Sequence, residues 1–101
     1  MENVTGEVVE QLLSGDQVVL VDYFAKWCGP CKMLMPRLAS LAAEYPSAKF
    51  VSVDVDENMD HAIKMEIRSV PTVMIYKGSE LINRSSGANV DSYYKNILNE
   101  L

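Results

Sequence analysis

Cysteine, histidine and tryptophan are all scarce in this chain. Cys28 and Cys31 are the only cysteines, His61 the only histidine and Trp27 the only tryptophan among 101 residues. Two cysteines cannot staple a small secreted scaffold, which excludes the disulfide-rich class. A structural zinc site needs four ligands, and beyond the cysteine pair the chain offers only His61, 30 residues past Cys31. Positive charge is also short. Nine Lys and Arg stand against fourteen Asp and Glu, a net charge of −5, which leaves no basic face for nucleic acid or an anionic membrane. Long apolar runs are missing as well: the longest, Val18 to Val21, suits a buried strand and falls far short of the ~20 residues that cross a bilayer. Met1-Glu2-Asn3 begins no basic-then-apolar leader, so a reducing compartment, the cytoplasm, is expected. In that compartment Asn3-Val4-Thr5 and Asn83-Arg84-Ser85 are chance matches to the glycosylation pattern.

The length suits one domain over residues 1–101, and no repeat, linker or low-complexity tract divides it. Val8, Val9, Leu12 and Leu13 recur at helical spacing before the stop Ser14-Gly15-Asp16. Val18 to Val21 with Tyr23 and Phe24 reads as a strand covered on both faces. A long helix is predicted from Cys31, with Leu34, Leu38, Leu41 and Tyr45 on one stripe, a kink at Pro36 and an end at Tyr45-Pro46. Val51, Val53 and Val55 alternate with Ser52, Asp54 and Asp56 as a period-two strand, and Asn58 is placed to cap a short helix carrying Ala62, Ile63 and Met65. Val73 to Tyr76 and Leu81-Ile82, joined through Lys77-Gly78-Ser79-Glu80, form a hairpin. After Gly87, Asn89 is placed to cap a last helix with Val90, Tyr94, Ile97, Leu98 and Leu101 on its apolar stripe. The expected fold is α/β: a mixed central sheet, made of a βαβ unit plus an antiparallel hairpin, with helices on both faces.

The two cysteines lie where a strand ends and a helix begins. Cys28 therefore meets unpaired N–H groups and the positive end of the helix dipole, which favour a thiolate. Cys31 lies one turn on, within reach of Cys28 for a bond that forms and breaks. Pro30 suits the first turn, and Gly29 leaves the approach open. The closed loop is too small to stabilise the fold much, and C-x-x-C beside a βαβ pattern reads as a redox motif. His61 reads as a solvated helix residue, Met33 and Met35 as core or rim. Asp54, Asp56 and Glu57 read as a solvated charge run without a catalytic part.

Val21-Asp22-Tyr23-Phe24-Ala25-Lys26-Trp27-Cys28-Gly29-Pro30-Cys31-Lys32 resembles the active-site segment of the thioredoxin family. Ile67-Arg68-Ser69-Val70-Pro71-Thr72 resembles that family's cis-proline loop, Pro36 its helix-kinking proline, and Ser86-Gly87-Ala88 its glycine turn. The likeness covers most of the chain and is weakest over the first sixteen residues, where the family's first strand is shortened or absent.

The resemblance implies a protein-disulfide reductase that carries electrons on a redox-active disulfide, with no metal or other cofactor. Cys28 attacks a partner's disulfide, and Cys31 resolves the mixed disulfide. Asp22, raised in pKa by burial, exchanges a proton with Cys31. The competing reading of Asp22 is a strand-end carboxylate reaching water or a capping N–H. The family often has a lysine near this acid where Ser52 stands here, and Lys26 is the nearest substitute in sequence. Phe24 stands where bacterial relatives often carry tryptophan. Trp27, Gly29, Pro30, Val70, Pro71, Gly87 and Ala88 make a shallow apolar patch for substrate, with Val70 free to pair with an extended segment. The implied partners are disulfide-containing proteins and a thioredoxin reductase, and the implied state is a monomer. Two other functions compete: an oxidase or isomerase domain, which usually has histidine where Pro30 stands, and a non-catalytic or cluster-bridging binding module.

Overall fold

The computed structural model describes all residues, 1–101, as nine elements: β1 (Glu2–Asn3), α1 (Gly6–Leu13), β2 (Val18–Phe24), α2 (Gly29–Ala42), β3 (Lys49–Asp54), α3 (Met59–Lys64), β4 (Thr72–Lys77), β5 (Glu80–Ser86) and α4 (Asp91–Leu98). The sheet order is β1-β3-β2-β4-β5. β3 runs parallel to both β1 and β2, while β4 runs antiparallel to β2 and β5. This is the mixed sheet that the βαβ-plus-hairpin pattern predicts. The first strand survives as a two-residue remnant, pairing Glu2 with Val51 and Asn3 with Ser52.

Alternation along the strands divides the core into two layers. Val19, Val21 and Tyr23 join Val51, Val53, Met74 and Tyr76 beneath Val9 of α1. Leu20, Phe50, Val73 and Ile75 face the other way, against Leu34, Leu38 and Leu41 of α2 and Tyr94 and Leu98 of α4. Helices therefore cover both faces. Each layer buries nine side chains, at roughly 1.5–3 kcal/mol for each large apolar one.

Several local expectations are corrected. Asp54, expected at a solvated strand end, is buried, as is Ser52 two residues before it, because β3 lies between two strands and beneath α2. α2 begins at Gly29 and ends at Ala42, three residues short of Tyr45; the chain runs on as turns closed by Glu44 N–H to Leu41 O and Tyr45 N–H to Ala42 O. Asn58 makes no capping bond to α3. Its Oδ1 accepts from Gly6 N–H at 3.1 Å and its Nδ2 donates to Asp54 O at 2.9 Å, tying α1 to the end of β3. Asn89 does not cap α4 either: Val90 holds that position and points outward, and Arg37 of α2 takes Asn89 O and the Asp91 carboxylate instead. Ile63 is exposed on the outer face of α3.

Gly6 is where α1 meets α3. A Cβ there would lie 2.4–2.7 Å from Cγ, Cβ and Nδ1 of His61, atoms too close to the His61 backbone to swing aside. Gly6→Ala is expected to destabilise the fold by about 2 kcal/mol, lowering Tm by about 10 °C. A thermal melt with an unchanged midpoint would show that the two helices separate at little cost.

Candidate redox site

β2 ends at Phe24, and the chain turns over Ala25 to Trp27 into α2, with Cys28 N–H donating to Ala25 O at 3.1 Å. Cys28 is the N-cap of α2. Its Sγ accepts the Cys31 backbone N–H at 3.2 Å, so the sulfur does the work that a serine or aspartate oxygen does at other helix starts. Pro30 sits in the first turn, where no N–H is required. Cys28 and Cys31 are disulfide-bonded, with Cα atoms 5.3 Å apart. They differ in access: Cys28 is 4% exposed and Cys31 is sealed at 0%. Beside Cys28, Gly29 is exposed, and a Cβ there would meet nothing within 4 Å.

The loop after α3 closes over the same sulfur. Cys28 Sγ lies 3.7 Å from Val70 O, and the Val70–Pro71 peptide is cis. Pro71 itself is buried, and its carbonyl accepts Gly87 N–H at 2.8 Å, from a Gly87 held at φ +81°. Ala88 is exposed beside it. Trp27 stands 72% exposed and walls a groove of about 140 Å³ with Val55, Ile67, Arg68, Ser69 and Val70. Of the residues singled out in the sequence, Trp27 and Val70 line this groove. Gly29 and Pro30 are exposed next to Cys28 in the chain, and Pro71 and Gly87, bonded to each other, do not line the groove.

The acidic run after β3 is not the solvated tail it resembles. Phe24 pairs with Asp54 across β2 and β3, so the turn carrying Trp27 and the segment from Asp54 to Glu57 leave the sheet side by side. Asp54 is buried, and its Oδ1 takes the N–H groups of Asp56 and Glu57 at 2.9 and 3.3 Å. That turn aims Asp56 Oδ2 at the Trp27 indole N–H, 3.0 Å away. Lys26 bonds Glu57 at 3.0 Å and lies 3.9 Å from Asp54, so it is committed here and not to Asp22. A strand partner inferred from the βαβ pattern was the only available signal for this cluster. Asp56→Ala is expected to free the indole and red-shift the emission of the single tryptophan, since the one charge-assisted bond that holds it is lost. Unchanged emission would show that the bond does not hold Trp27.

Asp22 lies mid-strand between Ser52 of β3 and Val73 of β4, on the same side as Leu20 and therefore facing α2, the helix that carries Cys31. It is fully buried, and neither carboxylate oxygen has a hydrogen-bond partner in the protein. It neither reaches water nor caps an N–H. Burial pushes its pKa up to about 7. Ser52 brings no relief, since its Oγ donates to Asn3 Oδ1 at 3.4 Å. His61 is also corrected. Half-buried, it stacks on Tyr23 with ring centroids 5.7 Å apart and bonds the Tyr23 hydroxyl through Nε2 at 2.9 Å. Tyr23 points to the layer opposite Asp22, so this pair stands apart from the disulfide. Burial lowers the His61 pKa, because an imidazolium there would lose its hydration. No group of three or more His, Cys, Asp or Glu side chains is arranged to hold a metal ion.

Comparison with known proteins places this geometry among relatives. The model of the Thioredoxin family matches residues 2–100. Thioredoxin-2 of Saccharomyces cerevisiae is 50% identical over 78 residues, 77% of this chain and 75% of that protein. Mitochondrial thioredoxin-3 of the same yeast is 40% identical over 86 residues, 85% of this chain and 68% of that one. The X-ray structure of Fasciola hepatica thioredoxin superposes with a TM-score of 0.89 at 34% identity, covering 100% of both chains.

Proposed function

The chain belongs to the thioredoxin family of dithiol–disulfide oxidoreductases, and from that premise we propose how its own residues reduce protein disulfides. The chain works as one domain over residues 1–101. In the reduced protein, Cys28 is a thiolate, held by the Cys31 N–H and the positive end of α2. It attacks one sulfur of a partner's disulfide. A new S–S bond forms to Cys28, and the partner's other sulfur leaves as a thiolate that takes up a proton. Cys31 then gives its proton to the Asp22 carboxylate and attacks Cys28. The partner's second sulfur departs, and the Cys28–Cys31 disulfide remains. Two electrons have passed to the partner, and a thioredoxin reductase returns them.

The observation that carries this reading is the difference in access between two bonded sulfurs at one helix start, Cys28 slightly exposed and Cys31 fully sealed on the helix that covers the sheet face holding Asp22. Trp27, Gly29, Pro30, Val70, Pro71, Gly87 and Ala88 form the docking patch. Val70 supports this role, since its N–H makes no hydrogen bond within the chain and is free for an extended substrate segment. The protein acts as a monomer in the cytoplasm. No helix is long and apolar enough to cross a membrane, and the acidic balance disfavours nucleic acid. Insulin reduction with dithiothreitol as electron source tests the function. Catalysed precipitation of the insulin B chain is expected, and a rate no faster than dithiothreitol alone would overturn it.

A further inference from the structure

α3 ends in a Schellman motif: Ile67 N–H donates to Ala62 O at 2.9 Å and Glu66 N–H to Ile63 O at 3.0 Å. The position that closes such a motif adopts left-handed backbone and is usually glycine. Here it is Glu66, at φ +56°, the only non-glycine residue in the chain with positive φ. A side chain in that conformation is disfavoured, so something outside the turn has to hold it. That support comes from the far edge of the sheet. Arg84 of β5 sends its guanidinium back across the end of α3, with Nη1 donating to Met65 O at 2.8 Å and Nη2 donating to Glu66 O. A planar fork with two parallel N–H groups suits two successive carbonyls, which a single ammonium cannot match.

The chain that leaves this turn is the loop facing the disulfide. Ile67, Arg68, Ser69 and Val70 line the groove beside Trp27, and Val70 O approaches Cys28 Sγ. The loop's far end is anchored by Thr72 Oγ1 donating to Ser69 O at 2.7 Å and by the Gly87–Pro71 bond. Its near end has the Schellman bonds, the packing of Met65 and Ile67 on the core, an exposed Arg68–Glu66 pair at 3.4 Å, and Arg84 as the one long-range hydrogen-bonding anchor. We propose that Arg84 is a positioning residue for disulfide exchange, clamping the left-handed Met65–Glu66 turn so that the loop from Ile67 to Val70 is preset to receive a protein substrate. Arg84 touches no substrate in this account. It rests on the reductase reading above and adds a determinant of substrate affinity to it.

Without the clamp, the loop samples arrangements that do not bind. Apparent affinity for a protein then falls by the lost fraction, while a small disulfide, which needs only the Cys28 sulfur, reacts as before. The test is single-turnover oxidation of the pre-reduced protein, followed by the fluorescence of Trp27, with insulin and with dithiobis(nitrobenzoate). Arg84→Met is expected to raise the half-saturating insulin concentration about fivefold with the plateau rate unchanged, and to leave the rate with the small disulfide unchanged. Arg84→Lys should recover only part of the loss. Adding Glu66→Gly to Arg84→Met should restore insulin affinity, because glycine holds the turn without a clamp; a role confined to overall stability would give no such rescue. Wild-type half-saturation in Arg84→Met, or an equal loss toward both disulfides, would overturn the proposal. A wild-type protein inert toward insulin would overturn the reductase reading instead. Hydrogen exchange then decides the role of Arg84: faster exchange at Ile67 N–H in Arg84→Met supports the clamp, and unchanged exchange removes it.

Discussion

Cys31→Ser is expected to turn the protein into a covalent trap, with partners held on Cys28 and visible by mass spectrometry under non-reducing conditions. Attack on the partner needs only Cys28, which the helix N-terminus and the Cys31 N–H stabilise as a thiolate; serine at 31 keeps that backbone donor. Release needs a second sulfur already in place. Removing it forfeits an intramolecular step whose effective concentration is on the order of 10⁵ M or more, so the mixed disulfide persists. Cys28→Ser should lower turnover on the order of 10⁴-fold or more and trap nothing, because Cys31 is sealed from any partner. Equal trapping by the two variants would reverse the assignment. Alkylation of Cys28 at neutral pH no faster than an ordinary thiol would remove its activation altogether.

Asp22→Asn is expected to stabilise the protein at alkaline pH while slowing it. The Asp22 pKa is raised in the folded state to about 7 from an unpaired value of 3.8, so the folded protein binds the proton more tightly than the unfolded chain does. Below pH 4 both states are protonated and the acid carries no penalty. As pH rises through 4 to 7, the unfolded chain ionises first, and stability is lost progressively until the folded acid ionises too. About three pKa units correspond to about 4 kcal/mol, complete above pH 8. Asparagine cannot ionise, so urea unfolding of the variant should match wild type near pH 4 and exceed it by about that amount at pH 8. The resolving step should fall roughly 10²-fold, the usual contribution of a placed base, and the inflection near pH 7 in the rate profile should vanish. Parallel stability curves would show that the acid is not desolvated. Wild-type kinetics across neutral pH would remove it from proton transfer.

These two effects pull against each other at one residue. A buried carboxylate without a hydrogen bond weakens the fold for the same reason that its pKa approaches that of a thiol: the charged form has lost its water and gained no replacement.

How much could be read beforehand depends on how far apart in the chain the interacting groups stand. Local rules carried the cysteine pair onto a helix start, the hairpin onto its two-residue turn at Gly78-Ser79, and the valine alternation onto two core layers, because capping, turn chemistry and side-chain periodicity act within a few residues. Polar side chains were misread wherever a partner came from another element. Asp54 stood in an acidic run that reads as a solvated strand end, and the sheet order buried it. His61 lay outward by helical spacing, and the crossing of α1 and α3 at Gly6 brought it onto Tyr23.

The sequence by itself therefore determined the placement of two thiols one turn apart at a helix start, with backbone N–H groups beside the first that favour its anion. Only the tertiary structure decided what surrounds them. The Asp56 grip on Trp27 spans 29 residues of chain, and the Arg84 clamp on Glu66 spans 18. Desolvation of Asp22 depends on α2 lying over the sheet face it shares with Leu20. Burial and long-range hydrogen bonds exist only once the strands have taken their order, and no spacing along the chain encodes them.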